Sequence, residues 1–70
     1  MTIAVRINGE AARIEEAATI LDILRRQGLD PKARGIAVAL NESILPSAHW
    51  AATVLAAGDR IEIVKAFAGG

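Results

Sequence analysis

One main stretch of this sequence carries the apolar spacing of a helix, and it is short and closed at both ends. Thr19 precedes "ILDILRRQG" and has Asp22 three places on, close to a capping box, in which each residue satisfies a backbone N–H that would otherwise lack a partner. Ile20, Ile23 and Leu24 fall at i, i+3 and i+4 with Leu21 beside them, and Gly28-Leu29 has the form of a left-handed stop. Arg25 and Arg26 in the last turn suit the negative end of the helix dipole, which accounts for them without a phosphate site. A chain with so little helix must complete its core with strands.

The flanking sequence is patterned for that. In "TIAVRI" the residues Ile3, Val5 and Ile7 share one side, and Asn8-Gly9 follows, the pair suited to a type I′ turn, so that "EAARI" returns as the second strand of a hairpin. After "DPKARG", "IAVAL" sets Ile36, Val38 and Leu40 against small Ala37 and Ala39, a pattern expected of a central strand covered on both sides. Asn41 turns the chain into a short edge strand at Ile44 and Leu45, which Pro46 ends. Ser47 is expected to cap a short helical segment through Trp50. Gly58-Asp59 makes a further turn, and "RIEIVKAF" alternates again, with Ile61 and Ile63 inward and Arg60 and Glu62 outward.

The order is strand, strand, helix, strand, short strand, strand. A helical crossover of this length lets the first and last long strands lie parallel at the centre of the sheet. The expectation is an α+β chain of the β-grasp, ubiquitin-like architecture: a mixed four- to five-stranded sheet on one main helix, plus the short helical segment. Residues 1–66 form that domain, and residues 67–70 a flexible tail ending in Gly-Gly. Seventy residues without cysteine leave room for one small core and no thiolate nucleophile. Eight basic residues cancel eight acidic ones, so the field that would hold a nucleic-acid backbone is missing. No apolar run could cross a bilayer and the start lacks a signal-peptide core, so the expected setting is the cytoplasm, with no membrane partner.

No catalytic constellation emerges. His49 is the single histidine, no metal-ligand spacing occurs, and Glu15, Glu16 and Asp59 sit where local structure accounts for them. Trp50 reads as core and His49 as a partly exposed packing residue. The unusual group is the backbone carboxylate of Gly70. Gly69 and Gly70 lack the Cβ atoms that would widen the tail, so it can thread a narrow cleft. A carboxylate with a reference pKa of about 3.3 to 3.7 is ionised and a poor electrophile, and its carbon must be activated before it is attacked. Nothing in the sequence binds ATP, so the activating enzyme has to be another protein.

With "INGE", "ATILDIL", "GIAVALNESILPSAHW" and "AAGDRIEIVKAFAGG", the whole chain resembles the thiamine-biosynthesis sulfur carriers, the ThiS type of small β-grasp protein. That resemblance implies a carrier and not an enzyme. An E1-like adenylyltransferase would use ATP and magnesium to adenylate Gly70, and a cysteine-derived sulfur donor, a desulfurase or relative, would convert it to a thiocarboxylate. Thiazole synthase would then take the sulfur. Phe67, Ala68 and Gly69 would enter partner clefts, and Phe67 is open to two readings, the last core contact or a partner anchor. Val64 and Ala66, apolar on the solvent side of the last strand, suggest a docking surface. The free chain is expected to be monomeric, with no cofactor or metal of its own. Alternatives are the molybdopterin-synthase small subunit or another ubiquitin-like carrier or protein modifier, and, in a different class, a non-covalent ubiquitin-like interaction module.

Overall fold

The computed structural model describes residues 1–66. Strands β1 (Thr2–Ile7) and β2 (Glu10–Glu15) form the expected hairpin, in a register that pairs Ile7 with Glu10. Asn8 and Gly9 make the loop with φ of 51° and 83°, the left-handed pair whose twist matches that of the strands.

Helix α1 (Ile20–Arg26) begins and ends as its flanking residues dictate. The Asp22 backbone N–H donates to Thr19 Oγ1 at 3.3 Å, and the Thr19 backbone N–H donates to Asp22 Oδ2 at 2.9 Å. The Asp22 carboxyl is thereby held below its ordinary value of 3.8, first by the Thr19 backbone N–H, then by its hydroxyl, with a further contribution from the Arg25 charge. At the other end Gly28 N–H donates to Arg25 O at 3.0 Å and Leu29 N–H to Leu24 O at 2.9 Å, the paired bonds of a Schellman stop.

Strands β3 (Ile36–Leu40), β4 (Ser43–Ile44) and β5 (Arg60–Lys65) complete a five-stranded sheet in the order β2-β1-β5-β3-β4. The central pair, β1 with β5, is parallel, and the other neighbours are antiparallel. Ile20, Ile23 and Leu24 of the helix are buried with Val5, Ile7, Ile14, Val38 and Ile61 of the sheet, and Trp50 and Leu55 complete the cluster from the connection to β5. Each such side chain contributes about 1.5 to 3 kcal/mol on burial. Ten buried residues among those described make a core of the size a chain this short can assemble.

Three expectations need correction. β3 is covered on one face only: Val38 is buried while Ala37 is exposed, and β3 sits between β5 and the two-residue β4. One helix can cover one face, so the small alanines mark an open face and not a second packed layer. The edge strand lies one residue earlier than the expected Ile44 and Leu45, because Asn41 and Glu42 both take positive φ and close the hairpin directly from Leu40 to Ser43. Ser47 is not a cap. It starts a single 3₁₀ turn, Ser47–His49, behind an extended Pro46 that makes no side-chain cap bond. What fixes this segment is Trp50, buried as expected, whose indole N–H donates to Leu45 O at 2.9 Å. His49 is exposed.

Replacing Thr19 with Ala is expected to lower stability by about 1 kcal/mol at neutral pH in urea denaturation. Because the folded Asp22 pKa lies below the unfolded value, its contribution is present above 3.8 and is lost as pH falls through the folded pKa. The Thr19→Ala penalty should therefore shrink when the titration is repeated near pH 3.

Candidate functional site

The last strand is held unevenly along its length. β5 pairs with β1 only at Arg6 with Arg60 and Ile7 with Ile61, whereas its antiparallel register with β3 runs from Leu40 with Ile61 to Ile36 with Lys65. β5 therefore outruns β1 by four residues. The side chain of Asn8 spans part of the gap: Asn8 N–H donates to Ile61 O at 2.8 Å, and Ile63 N–H donates to Asn8 Oδ1 at 2.7 Å. The amide of the hairpin turn thus continues the ladder for one more bond.

The final fixed point is Ala66, whose N–H donates to Gly35 O at 2.7 Å. Gly35 has φ of 85°, and a Cβ there would lie 3.2 Å from Ala66 O. Both its backbone angle and the close approach require glycine. The sequence marks Gly35 and Asn8 only as turn residues; their contacts with β5 come from positions 31 and 55 residues away and leave no local signature. Phe67, Ala68, Gly69 and Gly70 lie outside the described residues.

Val64 is 62% exposed and Ala66 is exposed, both on the open face of the sheet. Register places Val64 beside Ala37 and Ala39 beside Ile44, which is 74% exposed, so an apolar strip crosses β5, β3 and β4. Ile44 extends the surface expected at Val64 and Ala66, and was legible only as an edge-strand residue. Next to the strip lie Arg6, paired with Arg60, and Glu62; Arg60 Nη2 meets Glu42 Oε2 at 3.2 Å.

Little else on the described surface offers chemistry. Among the described residues no cluster of three His, Asp or Glu side chains could hold a metal ion, and the hydroxyl–carboxylate hydrogen bond from Thr19 to Asp22 belongs to the helix cap. An open cleft of about 490 Å³ beside Leu21, Arg25, Lys32 and Trp50 includes Asp30, whose carboxylate already accepts the Lys32 backbone N–H at 2.9 Å. No helix of the described residues is long and apolar enough to cross a membrane.

A parallel central strand pair, one helix across one face and a last strand delivering the chain end define a ubiquitin-like β-grasp protein. The crystal structure of the thiamine biosynthesis protein ThiS from Geobacter metallireducens has this fold, with a TM-score of 0.79 and 23% identity, over 97% of this chain and 100% of that one. A solution structure of a thiamine biosynthesis protein from the same organism gives 0.76 at 23% identity, over 97% and 88%. The ThiS family model matches residues 5–70. Sulfur carrier protein ThiS of Escherichia coli (strain K12) is 32% identical over 63 residues, 90% of this chain and 92% of that protein. The chain belongs to the ThiS family.

Substituting Asn8 with Gly keeps the turn angle and removes the acceptor for Ile63 N–H. The variant should lose about 1 kcal/mol and show faster amide exchange at Ile63, read by NMR. Asn8→Asp, which keeps an acceptor oxygen, should retain the protection.

Proposed function

We propose that this chain is a sulfur carrier for the thiazole part of thiamine, with Gly70 as its covalent position. Membership of the ThiS family carries this reading, since the family match runs through residue 70. The uneven hold on β5 supports it: a strand bonded up to Ala66 gives a four-residue tail a fixed origin from which to enter another protein.

In the proposed reaction, a Gly70 carboxylate oxygen attacks the α-phosphorus of ATP in the active site of an E1-like adenylyltransferase, expelling pyrophosphate. Magnesium on that enzyme neutralises the phosphate charge. The acyl-adenylate now has a good leaving group, and the terminal sulfur of a cysteine-derived persulfide displaces AMP. A thiol then cleaves the resulting S–S bond, taking the donor half as a disulfide and leaving the thiocarboxylate on Gly70. Thiazole synthase accepts that sulfur. This chain contributes no acid or base to these steps; it supplies a slim substrate carboxylate and the surfaces that present it.

Phe67, Ala68 and Gly69 enter partner clefts, following a β-grasp domain of residues 1–66. Val64 and Ala66, with Ala37, Ala39 and Ile44, form the docking strip on the open face. Carriage between soluble enzymes places the protein in the cytoplasm, monomeric between encounters.

Incubation with the adenylyltransferase, ATP, magnesium and a persulfide donor should raise the intact mass by the difference between sulfur and oxygen, located at Gly70 by fragmentation. Deleting Gly70 should abolish the change, and Val64→Asp should raise KM for adenylation about tenfold. An unchanged mass with an enzyme active on another carrier would instead favour a non-covalent interaction module.

A further inference from the structure

Besides its two outer edge strands, β2 and β4, this sheet has a free hydrogen-bonding edge in its interior. Along the outer side of β2, Arg26 Nη1 donates to Arg13 O at 2.6 Å, occupying an outward carbonyl. β4 is two residues long and is followed closely by Pro46. Short strands, proline and cationic side chains are the usual means of keeping an edge from pairing with other chains. On β5, the side facing β1 is paired through Ile61 and then at Ile63 N–H by Asn8. Beyond that point β1 has ended. Ala66 N–H faces β3, bonded to Gly35 O, so the alternation of the strand turns the Ile63 C=O and the Lys65 N–H and C=O the other way. Among the described residues these three groups have no backbone or side-chain partner.

We propose that this free edge, Ile63 to Lys65, is a strand-addition site, and that its occupant is an extended main-chain segment of the enzyme that activates the tail. The inference rests on the reading of Gly70 as the reacting residue. Four residues reach at most about 14 Å, so a catalytic centre can receive Gly70 only if that enzyme lies against the end of β5. The hydrogen-bonding edge available there is this one. Ala68, Gly69 and Gly70 offer almost no side chain by which a partner could set their register. Main-chain pairing immediately upstream sets it, because a bonded partner strand at Lys65 fixes where each later residue falls. Three groups are too short an edge to hold a second copy of this chain, since an isolated two-stranded pairing is marginal in water. The same shortness keeps the site silent until the tail is engaged as well.

Amide exchange of the ¹⁵N-labelled full chain, alone and saturated with its adenylyltransferase and a non-hydrolysable ATP analogue, tests this directly. Lys65 N–H should exchange rapidly in the free chain and at least about tenfold more slowly in the complex, as a newly formed backbone bond requires. In ATP–pyrophosphate exchange, Lys65→Pro, which removes the N–H and fixes φ, should have a KM about five- to tenfold above that of Lys65→Ala, which keeps the N–H, with similar kcat. A Lys65 amide as labile in the saturated complex as in the free chain overturns the proposal, whether or not the proline variant folds. So does protection in the free chain that grows with concentration, which would assign the edge to a second copy. Adenylation of wild-type Gly70 with an unprotected Lys65 would remove the strand-addition site and leave the carrier reading intact. Absence of any adenylate on an active enzyme would remove both.

Discussion

The structure depends on a parallel pairing between the first strand of the chain and its last. Only two residue pairs make it, Arg6 with Arg60 and Ile7 with Ile61, yet it joins segments more than fifty positions apart. Such a contact carries a large loop-closure cost that local bonds do not repay. It forms because Ile7 and Ile61 both face α1, and because Ala4 O and Asp59 O are drawn into the turn before β5, accepting from Gly58 N–H at 2.8 Å and Arg6 N–H at 3.0 Å. Hydrophobic burial supplies the drive, and these main-chain bonds set the register.

That pairing also decides how β5 is held. With β5 at the centre of the sheet and β1 terminating in a hairpin, the second half of β5 is left with one neighbour strand and one asparagine side chain. Asn8 serves two purposes there. Its left-handed backbone closes the hairpin, and its carboxamide oxygen holds Ile63, so the geometry that turns the chain also steadies the strand that presents the tail. Gly35 does the equivalent from the β3 side. On the proposed reading, a carrier needs this arrangement more than it needs a pocket, because a reacting group on its own main chain can be positioned only through the strand that precedes it.

Much of this was legible from residue order. The Asn8-Gly9 turn, the Thr19–Asp22 box, the Gly28 stop and the alternation of β1 and β5 are local devices whose physics acts within a few residues, and each appears where its pattern places it. The misreadings arose where a pattern has two physical causes. "IAVAL" is apolar throughout, and alanine is as compatible with an open face as with a covered one; only the number of helices available to cover it decides between them. Ser47 sits in front of a helical turn, but the Trp50 indole reaching back to Leu45 O fixes the chain's path there, and that bond spans a proline that no capping rule anticipates. Contacts such as Asn8 with Ile63 and Gly35 with Ala66 depend on register across the sheet, and a single sequence carries no local record of it.

The distribution of alanine on the open face follows from the same division of labour. On the proposed reading the open face docks on partner enzymes and is otherwise reached by water, and such a face cannot carry large apolar side chains without risking self-association. Ala37 and Ala39 keep the strip low, and the larger groups, Ile44 and Val64, stand apart at its two ends. The flanking Arg6, Arg60 and Glu62 keep the neighbouring surface charged. Contact area of this kind favours transient association: modest burial, little to reorganise, and release that does not require unfolding any part of the carrier. On the proposed reading, specificity comes from the segment Ile63 to Lys65, where main-chain geometry is available in place of side-chain chemistry.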